Sequence, residues 1–321
     1  MRYRRLGDAG VRVSAVGLGS WLTYGGSVEK KTARECIARA YDLGVNFFDT
    51  ANVYGRGEAE RVVGEALRSY ARESYVLATK VYFPMGEGPN DRGLSRKHVI
   101  EQCHASLDRL NVGHIDLYQC HRYDDDTPLE ETCEAMNDLL RQGKILYWGV
   151  SEWSAEEISD AVETCLESGW TPPVSNQPEY NALQRGIEDD VLPLTEELGI
   201  GNVVWSPLAQ GVLTGKYETG QKVPAGSRAA GEAAGFMGRY LRPEILGAVG
   251  KLRALAADSG CSPGQLAIAW CLRQPQVSSV IVGATRVGHV EENVAAGDLG
   301  LGPDIFAQVD EILEPVAVER E

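Results

Sequence analysis

The chain has no apolar run approaching the roughly 20 residues of a membrane-spanning helix, which argues against membrane insertion through a helix. It has no C-x-x-C pair. Its seven cysteines, Cys36, Cys103, Cys120, Cys133, Cys165, Cys261 and Cys271, are odd in number and mostly sit inside helical or strand patterns. This speaks against a disulfide framework and for a reducing compartment, with the thiols acting as small buried hydrophobes. Neither H-E-x-x-H nor G-x-S-x-G occurs, so His98, His104 and His114 read as surface or packing residues. No metal-ligand spacing surrounds Asp124-Asp125-Asp126, which reads as a solvated loop, and no metal is expected. Positive charge is short too: lysine is scarce and the formal net charge is -15. Nucleic acid and anionic membranes are therefore poor partners. The basic start, Met1 to Asp8, has no apolar h-region behind it, and a cytoplasmic location is expected.

What is present is a regular alternation. A hairpin is predicted from Tyr3 to Ala15, with Asp8-Ala9-Gly10 as its turn. Strands follow at Val16–Gly19, Asn46–Asp49, Tyr75–Thr79, Ile115–Cys120, Ile145–Val150, Pro173–Asn176, Asn202–Trp205 and Val277–Val282. Helical periodicity covers Lys31–Leu43, Glu58–Tyr70, Ser95–Leu110, Pro128–Arg141, Ser154–Ser168 and Asp189–Leu198. Further helices are predicted at Pro243–Asp258, Ser262–Arg273, Val287–Ala296 and Pro303–Leu313. Strands alternating with helices imply a parallel sheet. Eight such units with an extra hairpin fit an α/β fold of the (β/α)8 TIM-barrel type, with extra C-terminal helices, as one unit over residues 1–321. A doubly wound sheet is the alternative. Against it, Gly17-Leu18-Gly19-Ser20 lacks the third glycine and the following helix of a G-x-G-x-x-G turn. The stretch from Ser206 to Arg242 exceeds ordinary loop length and is the candidate lid.

In such a barrel, chemistry sits where strands end. Those points carry Asp49 and Tyr54, Lys80, His121, Ser151, Gln177, Trp205-Ser206 and Gly283. Asp49, Tyr54, Lys80 and His121 make a coherent proton-transfer set. A free phenol has a pKa near 10, and lowering it by about two units takes about 2.7 kcal/mol. A nearby lysine ammonium supplies such stabilisation, and Asp49 is its natural counter-ion. An acid able to protonate an oxygen suits carbonyl reduction by hydride, with His121 orienting the carbonyl. Each residue alone is more often structural. Three successive strands delivering one component each make the joint pattern stronger than its members. Val282-Gly283-Ala284-Thr285 before a helix is a good phosphate seat.

The chain resembles the aldo-keto reductases, and most closely the voltage-gated potassium channel β-subunit branch. The resemblance spans nearly the whole length. It rests on Arg4-Arg5-Leu6-Gly7, Gly17-Leu18-Gly19-Ser20-Trp21, Asp49-Thr50-Ala51-Asn52-Val53-Tyr54-Gly55 and Gly93-Leu94-Ser95-Arg96-Lys97-His98-Val99-Ile100. Ser106-Leu107-Asp108-Arg109-Leu110, Tyr147-Trp148-Gly149-Val150-Ser151, Trp205-Ser206-Pro207-Leu208-Ala209-Gln210-Gly211 and Gln265 to Arg273 extend it. It implies a (β/α)8 barrel that binds NADPH/NADP+ without a Rossmann fold, with Asp49, Tyr54, Lys80 and His121 as catalytic tetrad and Tyr54 as general acid. Channel β-subunits carry Asn in place of His121, so His121 favours an ordinary reductase over a regulatory, redox-sensing subunit.

By position, the resemblance implies that Ser20, Trp21 and Asp49 line the nicotinamide end, and that Ser151 and Gln177 hold its carboxamide. Trp205 is implied to stack on the nicotinamide ring. Ser206, Pro207, Leu208 and Gly211, with Lys216 nearby, are implied along the pyrophosphate. Arg228, Thr285 and His289 are implied at the adenosine 2′-phosphate, and Glu292 and Asn293 at the adenine. Two positions depart from relatives: Glu152 stands for Asn or Arg, and His289 for Gln or Arg. NADPH is expected over NADH. The expected partner is a small carbonyl substrate in a pocket built from Tyr24, Tyr82 to Asn90, Trp153 and the tail, with Tyr82, Phe83 and Trp153 as an apolar rim. Relatives occur in several assembly states, so a homo-oligomer is possible.

Overall fold

A computed structural model of the chain describes residues 1–26, 28–224 and 227–318. Positions 225–226 of the predicted lid and the tail from 319 lie outside the described residues. The hairpin forms first: β1 (Tyr3–Arg5) pairs antiparallel with β2 (Arg12–Ser14). Then follow β3 (Val16–Gly19), α1 (Lys30–Asp42), β4 (Phe47–Asp49), α2 (Glu58–Leu67), β5 (Val76–Val81) and α3 (Arg96–Leu110). The alternation continues with β6 (Ile115–Cys120), α4 (Leu129–Arg141), β7 (Ile145–Val150), α5 (Ala155–Glu167), β8 (Ser175–Asn176), α6 (Val191–Glu197) and β9 (Gly201–Val204). Last come α7 (Pro243–Asp258), α8 (Pro263–Cys271), β10 (Val277–Val282), α9 (Val287–Ala296) and α10 (Pro303–Leu313). Strands β3 to β10 are parallel neighbours in chain order and close on themselves through the β10–β3 and β10–β9 pairs, so the barrel is a (β/α)8 barrel.

Strand parity explains where the polar groups lie. Side chains alternate across a strand, so two residues beyond a lumen-facing one also face the lumen. Phe47, Val76, Ala78, Leu117, Val203 and Ile281 form one apolar cluster with Leu6 and Val13 of the hairpin. The hairpin thus plugs one end of the barrel. Stepping up by two from these residues gives Asp49, Lys80, Gln119 and His121. The opposite parity, Phe48, Leu77, Tyr118 and Trp148, belongs to the larger cluster shared with the helices.

Most boundaries shift by one to three residues from the sequence reading, and two of the shifts bear on the site. Pairing in β5 runs on through Val81, opposite Cys120, so Lys80 lies inside the strand rather than just after it. Strand β8 holds only Ser175 and Asn176, since Pro172 and Pro173 offer no N–H to a ladder. The long segment after β9 is not structureless. It carries 3-10 turns at Ala209–Thr214, Arg228–Ala230 and Glu232–Tyr240, and Tyr217, Met237 and Tyr240 are buried. Among the described residues no helix is long and apolar enough to cross a membrane.

Candidate active site

The four residues predicted to act together meet at the open end of the barrel. Lys80 has no solvent exposure. Its Nζ donates to Asp49 Oδ1 at 2.5 Å and to the Thr50 carbonyl at 2.8 Å. The other Asp49 oxygen accepts from Gln177 Nε2 at 3.0 Å and Gln119 Nε2 at 3.5 Å. The Tyr54 ring lies above the lysine, its centroid 5.1 Å from Nζ. Tyr54 enters from a 3-10 turn in which Gly55 and Arg56 both have positive φ. His121 meets the Tyr54 ring edge-on at 5.7 Å and the Phe83 ring at 4.9 Å. His121 Nδ1 is buried without a hydrogen-bond partner among the described residues.

Burial governs the electrostatics. It holds the Tyr54 phenol well above 10; the Asp49 carboxylate adds to this, and Arg122 opposes it. The sequence reading had Lys80 pulling this pKa down. Instead the lysine charge is engaged by Asp49 at hydrogen-bond distance, and the net shift of the phenol is upward. Burial also lowers the Lys80 pKa, against the Asp49 charge. The His121 ring is held well below 6.5 by burial, then by Lys80 and Arg122. At neutral pH the cleft therefore presents a protonated phenol and a neutral imidazole.

Around this centre, Ser20 Oγ donates to Thr50 Oγ1 at 2.8 Å. Ser151 Oγ donates to the Gln177 carbonyl at 2.8 Å, while the Gln177 amide is turned to Asp49 and Gln119. Trp21 and Trp205 meet edge to face at 5.8 Å. The Trp205 Nε1–H donates to Glu152 Oε1 at 2.7 Å. Lys216 Nζ lies against Gly211, where a Cβ would approach it to 2.8 Å. The amides of Ala209, Gln210 and Gly211 are satisfied within their own turn, by Ser206 O, Ser206 Oγ and Leu208 O, and Pro207 has none.

Other predicted residues fall elsewhere. The Arg228 guanidinium bonds Gln210 Oε1 and lies over the Trp21 ring, 5.6 Å from its centroid. Among the described residues no hydrogen bond or ion pair joins it to Thr285 or His289. It thus stands with the residues assigned to the nicotinamide end. The cation at the start of α9 is Arg286, which the sequence reading missed: its Nε–H donates to His289 Nε2 at 3.0 Å. That bond makes Nε2 an acceptor, so Nδ1 carries the proton and faces Thr285 Oγ1 at 3.2 Å. The His289 pKa is lowered by burial, then by Arg286, and also by Lys216. Gly283 is exposed between β10 and this turn. Glu292 accepts from the hydroxyl of Ser262, the N-cap residue of α8, at 2.7 Å, and Asn293 is buried. Trp153 is buried against Tyr123 at 4.8 Å rather than on a rim, and Tyr24 is buried as well. Phe83 remains beside His121, with Tyr82 edge-on to the Phe83 ring at 5.2 Å.

Lys216, Arg228 and Arg286 give positive charge along the mouth from the β9 loop to the start of α9, and two indoles give flat apolar faces. This donor set suits an anionic, aromatic dinucleotide. The missed residues Gln119, Gln210 and Arg286 share one trait: a lone Gln or Arg at a strand or helix boundary carries no spacing signal.

A model of the Aldo/keto reductase family matches residues 15–314. A protein of Arabidopsis thaliana named "Probable voltage-gated potassium channel subunit beta" is 42% identical over 320 residues, covering 98% of this chain and 97% of the relative. A protein of Oryza sativa subsp. japonica with the same name matches to the same extent, 42% over 320 residues.

Proposed function

The chain belongs to the aldo/keto reductase family, a family of oxidoreductases, and on that premise we propose that it is an NADPH-dependent carbonyl reductase acting on an aldehyde or ketone. The observation that carries this reading is the buried Lys80–Asp49 pair beneath the Tyr54 ring, with the neutral His121 ring beside it. The cofactor, when bound, supplies hydride to the carbonyl carbon. Trp21 and Trp205 bracket its nicotinamide end, and Ser151 and Gln177 meet its carboxamide. Lys216, Thr285, Arg286 and His289 serve its phosphates, Arg228 stands beside Trp21 at its nicotinamide end, and Glu292 and Asn293 meet its adenine.

The protein's own part is proton transfer and orientation. Tyr54, kept protonated by burial, donates to the carbonyl oxygen as that oxygen becomes an alkoxide, a far stronger base than a phenolate. Lys80 stabilises the phenolate left behind, and Asp49 keeps the lysine charged and fixed in place. His121, neutral, donates to or orients the carbonyl oxygen from the side of Phe83. Tyr82 and Phe83 exclude water from that side. Positioned acid catalysis contributes about 10²- to 10⁴-fold, so Tyr54→Phe is expected to lose about that factor in kcat. NADPH binding, followed by fluorescence, should be unchanged. Retention of most activity in Tyr54→Phe would refute the role of Tyr54.

A second reading has an observation of its own: relatives 42% identical over nearly their full length carry the name of channel β-subunits. In that reading the chain is a regulatory subunit with slow turnover, docked on a membrane protein and assembled with copies of itself. Gel filtration with and without a detergent-solubilised membrane fraction, run beside steady-state NADPH oxidation, separates the two. Fast turnover by the isolated protein favours the reductase; slow turnover together with a shift to a membrane complex favours the subunit.

A further inference from the structure

Glu152 follows Ser151 just past the end of β7 and holds a left-handed backbone, φ +60°, which residues with side chains adopt rarely. Its Oε1 accepts from Trp205 Nε1 at 2.7 Å and from the Glu179 amide at 2.5 Å. Both partners can only donate, so this oxygen serves as an acceptor to each. Backbone bonds tie the same place together: Trp205 N donates to Pro178 O at 3.1 Å, and Tyr180 N donates to Trp205 O at 3.2 Å. The Glu179 carboxylate is held in turn by Arg239 and by the Tyr240 hydroxyl. Glu152 thus joins the loops after β7, β8 and β9, and the indole it grips reaches Trp21 after β3. Its neighbour Ser151 bonds the carbonyl of Gln177, whose amide bonds Asp49. One carboxylate is therefore placed to fix the orientation of an aromatic face on the rim above the Lys80–Asp49 pair.

We propose that Glu152 is a positioning residue that locks the Trp205 indole and makes the cleft favour the oxidised, cationic nicotinamide over the reduced, neutral one. This rests on the reading above, in which a nicotinamide ring lies against Trp205. Charge supplies the reason. Hydride loss turns a neutral dihydropyridine ring into a pyridinium cation. A carboxylate at the edge of the indole attracts that cation directly. By accepting the indole N–H it also makes the indole face a better partner for a cation. The reduced ring carries no charge and feels neither effect.

The test is a titration of intrinsic tryptophan fluorescence with NADP+ and with NADPH, on the wild type and on three variants. Glu152→Gln keeps shape and an acceptor oxygen but removes the charge. Its Kd for NADP+ is expected to rise about fivefold, with the Kd for NADPH nearly unmoved. Glu152→Asp keeps the charge on a shorter stem, so the ratio of the two constants should stay as in the wild type while both affinities fall. Glu152→Ala should weaken both and broaden the tryptophan emission, because the indole is released. An equal change for both cofactor forms in Glu152→Gln, or no change, would overturn the inference while leaving the reductase reading intact. A wild type that binds neither form would refute the reductase reading, and the inference with it.

Discussion

A lysine with no exposure persists only if its charge is answered. Lys80 is answered by Asp49 and by the Thr50 carbonyl. Breaking such a pair from one side costs about 3–5 kcal/mol, because the remaining charge is buried alone. Lys80→Met should therefore be strongly destabilised in urea unfolding. The double change Lys80→Met with Asp49→Asn should recover much of that loss yet remain inactive. Equal stability of the single and double variants would contradict the pairing. The proton balance of His121 gives a second prediction. Its folded pKa lies well below 6.5, so on acidification the unfolded chain takes up the proton first. The unfolded state then binds more protons, and stability rises with pH in that range. Unfolding free energy should fall as pH drops below about 6.5, and His121→Asn should flatten that fall. An unchanged slope in His121→Asn would count against it. The four residues of this centre were legible in the sequence because they fall at or just beyond the ends of three successive strands. The upward shift of Tyr54 was not, because burial depends on what surrounds a ring and not on its neighbours in the chain.

Among elements, period-two parity decides most of the site. A strand that buries Phe47 in the lumen must also turn Asp49 inward, and Leu117 likewise fixes Gln119 and His121. Strand and helix order were readable for that reason, along with the N-cap of α3, where Ser95 Oγ accepts from the His98 amide at 3.3 Å. The length of β8 and the path after β9 were not readable. Prolines cut the first short, and the second is held by tertiary contacts such as Tyr240 OH to Glu179 at 2.8 Å. Helix packing offers a paired test. A Cβ on Gly64 of α2 would stand 2.2 Å from the Leu110 carbonyl of α3, whereas one on Gly247 of α7 would meet nothing within 4 Å. Gly64→Ala should cost about 1–3 kcal/mol through overpacking. Gly247→Ala should add about 0.5–1 kcal/mol from helix propensity alone. Thermal unfolding of both variants reads the difference, and a Gly64→Ala protein as stable as the wild type would mean the α2–α3 contact is looser than described.

For the whole molecule, a plugged and close-packed barrel carries a polar mouth, on a chain whose net charge is -15. The cations of that mouth, Lys216, Arg228 and Arg286, stand out against the acidic background and bias an anionic ligand toward the open end. Binding of NADPH should accordingly weaken as ionic strength rises, more so than in Arg286→Gln, which removes one of those charges. A salt dependence identical in wild type and Arg286→Gln would remove Arg286 from the phosphate site. The central claim is that hydride passes to a carbonyl held under Tyr54. The most direct measurement supplies NADPH carrying deuterium at both positions of the nicotinamide C4 to the purified protein with a panel of aldehydes, and follows the products by mass spectrometry. The reductase reading predicts an alcohol carrying one deuterium on the former carbonyl carbon, formed by the wild type and reduced to traces in Tyr54→Phe. Product without deuterium, or no oxidation of NADPH with any aldehyde, would contradict it.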